Sequence, residues 1–349
     1  MKKITKLELE NFRGFATLTM DGFKRVNLFV GENNVGKSTV FDAFFLLLGM
    51  SSPQLISNVN AFRGLPLKEI ALKSLFRNLD LSCHPYFQLF FDDQSSRSLE
   101  LSPLKSDVIS SSNAEIPLTT SNDTSLRGLE MFFKLNEEDA LSSKVKIGEN
   151  GQIEFSSPSD YNESLHGVYI SSRAMDDSAK SCVENILKQK KKDLLVEILK
   201  QVDPEIDNID VFSDGIYLSY VNVAELLPSA VAGDGIRKVL NIVATIAERN
   251  GSYVMIDEIS NGLHYKSQKI LWRNIFRLAL AYDVQLFIST HSNDTLESLK
   301  EVLEETDMEL AQDDFMLFSM KKTKKAGLRV YPYDFQSYKD SFDANIEVR

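Results

Sequence analysis

Apolar and polar residues alternate from Ile4 to Glu10, with Leu7 and Leu9 on one face and Lys6, Glu8 and Glu10 on the other. That pattern predicts a half-exposed strand. A second short strand is expected at Thr17–Met20, after Gly14. Val26–Val30 is apolar on both faces except at Asn27, as a strand inside a covered sheet would be. The run stops at Gly31-Glu-Asn-Asn-Val-Gly-Lys-Ser-Thr39, and Val40–Leu48 is then apolar nearly all round. This predicts a helix packed inside the molecule.

The character changes between Met50 and about His166. Residues 94–125 are rich in Ser, Asn and Thr and read as loops. Strand-like pieces lie around them at Tyr86–Phe91 and Gly128–Leu135. A hairpin is expected from Lys144–Ile147 and Gln152–Phe155, turned at Gly148–Gly151. Residues 51–165 are therefore read as an irregular, partly β lobe inserted between residues 1–50 and 166–349. Heptads are missing, which argues against a long coiled coil.

Val183, Ile186, Leu187, Leu194, Leu195, Ile198 and Leu199 recur at helical spacing, predicting one helix over Ala179–Val202 with a polar turn at Lys190. Its run Lys188–Lys192 is either a solvated face or a nucleic-acid contact. Another helix is expected from Gly235, with Ile236, Val239, Leu240, Val243 and Ile246 on one face. Strand and helix then alternate: Tyr253–Ile256, Ser267–Ala281, Val284–Ile288, Thr295–Glu305. That rhythm predicts a parallel sheet with helices on its faces, an α/β fold. A hairpin of Phe315–Met320 and Leu328–Tyr333, turned at the basic Lys321–Lys325, is expected to follow.

The chain has 349 residues, 43% of them hydrophobic and 26% charged. Such a composition excludes disordered and collagen-like chains. The net charge of −11 argues against a whole surface that coats nucleic acid, while leaving room for a local basic groove. Two cysteines, Cys83 and Cys182, are too few for a disulfide framework and fit a reducing cytosol, so a cytoplasmic location is expected. No apolar stretch follows the first lysines as in a signal peptide. Val40–Leu48 is far short of the ~20 residues of a membrane span.

Three strand ends carry chemistry. Gly31-x4-Gly36-Lys37-Ser38 matches a phosphate-binding loop, in which backbone N–H groups and a helix N-terminus surround polyphosphate. In that pattern Lys37 reaches the β and γ phosphates and the Ser38 hydroxyl ligates Mg²⁺. Tyr253–Ile256 ends in Asp257-Glu258, which suits a metal-side acid followed by a general base. Leu286-Phe-Ile-Ser-Thr-His291 places His291 just past a third strand, within reach of a γ-phosphate or the attacking water. Such ends share the carboxyl edge of one sheet, where α/β folds bind ligands.

Taken in order, Asn11-Phe-Arg-Gly-Phe15, the loop Gly31–Thr39, Gly233-Asp-Gly-Ile-Arg-Lys238, residues 256–265 (IDEISNGLHY) and residues 289–294 (STHSND) resemble the ABC-type ATPase heads of the SMC, RecF and OLD group. The likeness covers residues 1–50 and about 165–349. It implies a P-loop NTPase in which ATP and Mg²⁺ lie between two heads of a head-to-tail dimer. The residues it would place around the nucleotide are Gly31, Glu32, Asn33, Asn34, Val35, Gly36, Lys37, Ser38 and Thr39. Ser38 and Asp257 would hold the metal, and Glu258 and His291 would be catalytic. By the same resemblance Gly233, Asp234 and Gly235 form the signature, facing the partner's nucleotide. Gly233 stands where many such heads have serine, which would weaken dimerisation, hydrolysis or both. Arg13 resembles an arginine near the nucleotide, a surface salt bridge being the alternative. Asn261–His264 matches the turn that lines the dimer interface, or is simply a turn after the strand.

OLD nucleases carry a TOPRIM domain after the head. The tail after His291 is shorter than a typical domain and lacks Asp-x-Asp, so a head without its nuclease is expected. Small heads of this kind resemble ATPase subunits of bacterial phage-defence systems. The expected function is a nucleotide-gated switch that controls a separately encoded effector protein. The alternative is a RecF-like repair ATPase that grips DNA.

Overall fold

The computed structural model describes residues 1–105, 126–148, 150–171, 177–323, 327–344 and 346. Residues 106–125 of the expected loop, residue 149 of the expected turn, Lys324 and Lys325 of the basic turn, and residues 345 and 347–349 of the tail lie outside the described residues.

Strands β1 (Ile4–Glu10), β2 (Thr17–Asp21) and β3 (Val26–Val30) fall where the pattern puts them. Helix α1 (Lys37–Leu48) begins ahead of its apolar run. The Gly36 carbonyl accepts the N–H groups of Thr39 and Val40 at 3.0 and 3.1 Å, which closes the first turn. Then come α2 (Gln54–Ala61), α3 (Glu69–Lys73), β4 (Tyr86–Phe91), β5 (Ser96–Lys105), β6 (Leu126–Leu135), β7 (Leu141–Ile147) and β8 (Ile153–Ser156). Residues 96–105, expected as loop, are thus a strand. Its serines mask a period of two in which Arg97, Leu99 and Leu101 are buried, and antiparallel partners β4 and β6 flank it. Strand formation here follows from its neighbours more than from its composition.

Strand β9 (Gly167–Ile170) precedes α4 (Asp177–Lys188) and α5 (Lys192–Val202), two helices where one was expected. Lys190 adopts φ 59°, a left-handed conformation that ends a helix. The Lys191 N–H bonds the Ile186 carbonyl at 3.1 Å and the Lys190 N–H bonds that of Leu187 at 2.9 Å, the double closure usual after a last helical turn. Helical spacing continues across the break, so the pattern alone did not reveal it. The basic run is largely a solvated face: Lys188, Lys190 and Lys191 are exposed, with surface contacts from Lys188 to Glu184 at 2.9 Å, from half-buried Lys192 to Asp210 at 2.7 Å, and from Lys191 to the Tyr282 ring at 5.0 Å.

The chain continues through β10 (Ile206–Phe212), β11 (Gly215–Tyr220), β12 (Leu227–Pro228), α6 (Asp234–Glu248), β13 (Tyr253–Ile256) and α7 (Tyr265–Ala281). It ends with β14 (Gln285–Thr290), α8 (Asn293–Leu303), α9 (Glu309–Asp313), β15 (Phe315–Thr323), β16 (Gly327–Tyr333) and α10 (Phe335–Asp343). Strands β9 to β12 and helices α2, α3, α9 and α10 were not foreseen. Among the described residues no helix is long and apolar enough to cross a membrane.

Two compact units emerge. The first comprises residues 1–5, 21–41 and 166–349, the second residues 6–20 and 42–165. In the second, strands run in the order β2-β1-β4-β5-β6-β7-β8. Buried Arg97 there meets Glu163 at 2.7 Å, because a cation so enclosed needs a counter-charge.

In the first unit the main sheet has the order β16-β15-β3-β14-β13-β9. From β15 to β9 neighbours are parallel, and β16 pairs antiparallel at the edge. Both faces of β3 are covered. Val26, Leu28 and Val30 join the core shared with α4 to α8. Phe29 turns to a cluster of aromatic rings, 5.2 Å from Phe41 and 5.5 Å from Phe318. Asn27, the strand's one polar residue, donates to the Lys24 and Leu286 carbonyls at 2.7 and 3.0 Å and accepts the Lys24 N–H. A buried amide so satisfied costs little.

Candidate nucleotide site

The phosphate loop needs backbone angles that favour glycine. Gly31 has φ 148° and Gly36 φ 113°, with Asn34 at φ 65° between them. A Cβ on Gly31 would collide with the Met320 carbonyl of β15. Glu32, Asn33 and Asn34 form an exposed crest, while Val35 is buried beneath it. The Lys37 side chain runs back along the loop, donating to the Gly31 and Glu32 carbonyls at 2.7 and 3.2 Å. Burial lowers the Lys37 pKa, and the charges of Glu258 and Asp257 partly oppose that shift.

Parallel register brings the other groups to the same edge. Thr290 of β14 lies opposite Val30 of β3, and Ile256 of β13 opposite Ile288 of β14, so β3 and β14 end level and β13 stops two residues short of them. Asp257 Oδ2 accepts from Ser38 Oγ at 2.9 Å and from the Tyr169 hydroxyl at 3.2 Å; Oδ1 accepts from Ser289 Oγ at 2.6 Å. Glu258 takes φ 54°, and its N–H donates to Ser289 Oγ at 2.9 Å. Its carboxylate contacts His291 Nδ1 at 2.6 Å and lies 3.8 Å from the Lys37 ammonium. With Glu258 ionised, Nδ1 carries the proton and donates. The Glu258 carbonyl accepts from Lys238 Nζ and from the Asn261 N–H.

Gly233, Asp234 and Gly235 open α6, where the Gly233 carbonyl accepts the Ile236 and Arg237 N–H groups at 3.0 and 3.3 Å. They pack on the turn after Glu258. A Cβ on Gly235 would lie 3.2 Å from the Gly262 carbonyl, and one on Gly262 (φ 77°) would lie 3.3 Å from Asp234 Cβ. The residues expected in the signature and in the turn 261–264 therefore form one cluster, beside Glu258. Arg13 belongs to the second unit, where its Nε is 3.2 Å from Asp42.

Tyr169, Ser289 and Lys238 were not singled out for a role. Ser289 carried a signal, a hydroxyl closing an apolar strand beside His291. Lys238 was visible only as one more charge after the signature, and nothing local marked Tyr169, whose strand pairs with β13 across a long sequence gap.

Residues 26–297 match the family described as "AAA domain, putative AbiEii toxin, Type IV TA system". The chain belongs to this family. It is an ATPase of the AAA type with the fold of an ABC-type head. A protein named "ATP/GTP phosphatase" from Helicobacter pylori is 24% identical over 334 residues, covering 87% of this chain and 89% of that relative. The chromosome partition protein Smc of Methanocaldococcus jannaschii is 38% identical over 65 residues, 19% of this chain and 6% of that protein. Among solved structures, an SMC head bound to the C-winged helix domain of ScpA superposes with a TM-score of 0.51 at 12% identity, covering 97% of this chain and 99% of that one.

The donor set fits a nucleotide and a hard divalent cation. Loop amides and Lys37 suit phosphate oxygens, and the Ser38 hydroxyl beside the Asp257 carboxylate offers two hard oxygens. Mg²⁺, which keeps several waters, needs no more from protein. Among the described residues no group of three or more His, Cys, Asp and Glu could hold a metal by itself.

Lys238 is 3% exposed, and burial pushes its pKa from 10.5 down to about 8 against the opposing pull of Glu258 and Asp257. The unfolded chain holds that proton up to about 10.5, so between the two values it binds more protons than the native state. Stability therefore rises with pH across that window. Measured against Lys238→Met, wild-type unfolding free energy should gain up to ~3 kcal/mol between pH 8 and 10.5. A constant difference in denaturant titrations over this range would refute the buried cation.

Proposed function

We propose that the chain hydrolyses ATP with Mg²⁺ between two copies arranged head to tail, and that its nucleotide state switches a separately encoded effector in antiphage defence. The convergence of Lys37, Ser38, Asp257, Glu258 and His291 on the carboxyl ends of three adjacent parallel strands carries the reading. In it, amides of Gly31–Thr39 surround the phosphates and Lys37 supplies their counter-charge. Ser38 and Asp257 would hold Mg²⁺, which neutralises charge on the transferring phosphoryl group. Glu258 takes the proton of the attacking water, and His291 orients the carboxylate. Arg13 is assigned to the nucleotide's surroundings by resemblance alone.

The partner copy enters through Gly233–Gly235, whose helix N-terminus offers free amides to a γ-phosphate. Asp234 is 76% exposed there. The effector reading draws support from the SMC head that binds another protein, and the antiphage setting from the likeness to stand-alone defence heads. A DNA-gripping role has weaker support, since the net charge is −11 and Lys188 and Lys192 each face a carboxylate.

Lys37→Ala should abolish ATP binding by calorimetry; unchanged affinity would remove the phosphate-loop assignment. Glu258→Gln should retain ATP yet slow turnover at least ~10²-fold, and near-normal phosphate release would mean that another group activates the water. A Cβ on Gly233 meets nothing within 4 Å, so Gly233→Ser restores the missing hydroxyl without strain. In the Glu258→Gln background it should raise the ATP-dependent dimer fraction in sedimentation; an unchanged fraction would count against the head-to-tail contact.

A further inference from the structure

Glu258 is held by its backbone as much as by its side chain. A residue other than glycine at φ 54° costs ~1 kcal/mol or more and persists only where its surroundings over-determine it. Three bonds do so here: the Glu258 N–H to Ser289, and its carbonyl to the Asn261 N–H and to the Lys238 ammonium. Lys238 stands one turn into α6 from Gly233–Gly235. The same helix start touches the turn 261–263 at backbone distance through Gly235 and Gly262. A shift of α6 thus cannot leave the Glu258 peptide where it was.

We infer that Lys238 is a positioning residue that couples the helix start at Gly233–Gly235 to the orientation of Glu258 in the same head. Anything seated on that helix start moves α6, and Lys238 passes the movement to the glutamate. A buried ammonium bonded to a carbonyl is an expensive way to fill space, because a Met of similar length would do so without desolvating a charge. The cation's bond to the Glu258 carbonyl is what Met could not supply. The inference rests on Glu258 acting as the general base.

A double-mutant cycle in the full chain tests it, with turnover and KM for ATP measured for wild type, Lys238→Met, Glu258→Gln and the double variant. Lys238→Met should lower kcat about 10–100-fold with KM within about twofold, while the thermal midpoint at pH 7 stays level or rises. In the Glu258→Gln background the same change should leave residual turnover within about twofold. A Lys238→Met enzyme with near wild-type kcat overturns the inference, as does a further full loss in the double variant, which would show Lys238 acting apart from Glu258. Should the Met protein not fold, Lys238→Leu takes its place under the same criteria. If wild type and Glu258→Gln turn over alike, the general-base reading itself has failed.

Discussion

The site depends on one constraint, the parallel register of β3, β14 and β13. Because these strands run the same way and stop within two residues of one another, the chain leaving each begins at one edge: the phosphate loop from β3, the acid pair from β13, the histidine from β14. A slip of one residue would turn every side chain of the strand to the other face. Such slips are opposed on both sides of the sheet, by the aliphatic residues packed with α4 to α8 and by the rings around Phe29. Asn27 adds one polar tie across the strands, its amide donating to the Leu286 carbonyl of β14.

Upon that edge lies a compact set of charges. Lys37 and Lys238 are both almost fully buried, and both have pKa values lowered by burial and opposed by Asp257 and Glu258. Each ammonium finds backbone carbonyls as well: Gly31 and Glu32 for Lys37, Glu258 for Lys238. Two cations facing two carboxylates keep the net local charge near zero, which makes such burial tolerable. The same arrangement gives each acid distinct company. Asp257 is surrounded by hydroxyls from Ser38, Tyr169 and Ser289 and suits a metal, whereas Glu258 contacts imidazole and suits proton transfer.

The signature region and the acid strand meet behind this edge. Gly235 and Gly262 let two backbones approach where side chains would hold them apart. Helix α6 therefore bears on the turn that follows Glu258 as well as on its carbonyl. Only a few hydrogen bonds separate the start of α6 from the Glu258 peptide.

The phosphate loop, the acid pair and the histidine were legible because each follows a short apolar strand and each uses residue types whose chemistry is local. Strands β1, β3 and β13 were legible for the same reason, through alternation or continuous apolarity. By contrast β5, the break between α4 and α5, the company of Tyr169 and the reach of Lys238 depend on partners far along the chain. Ser-rich β5 is a strand because β4 and β6 bond to it, and Lys190 turns left-handed with the helical spacing uninterrupted around it. Residue order alone therefore specified which chemistry is present and the strands that carry it. Only tertiary packing decided which groups touch, since hydrogen bonds and charges act over a few ångströms of space regardless of how many residues separate them.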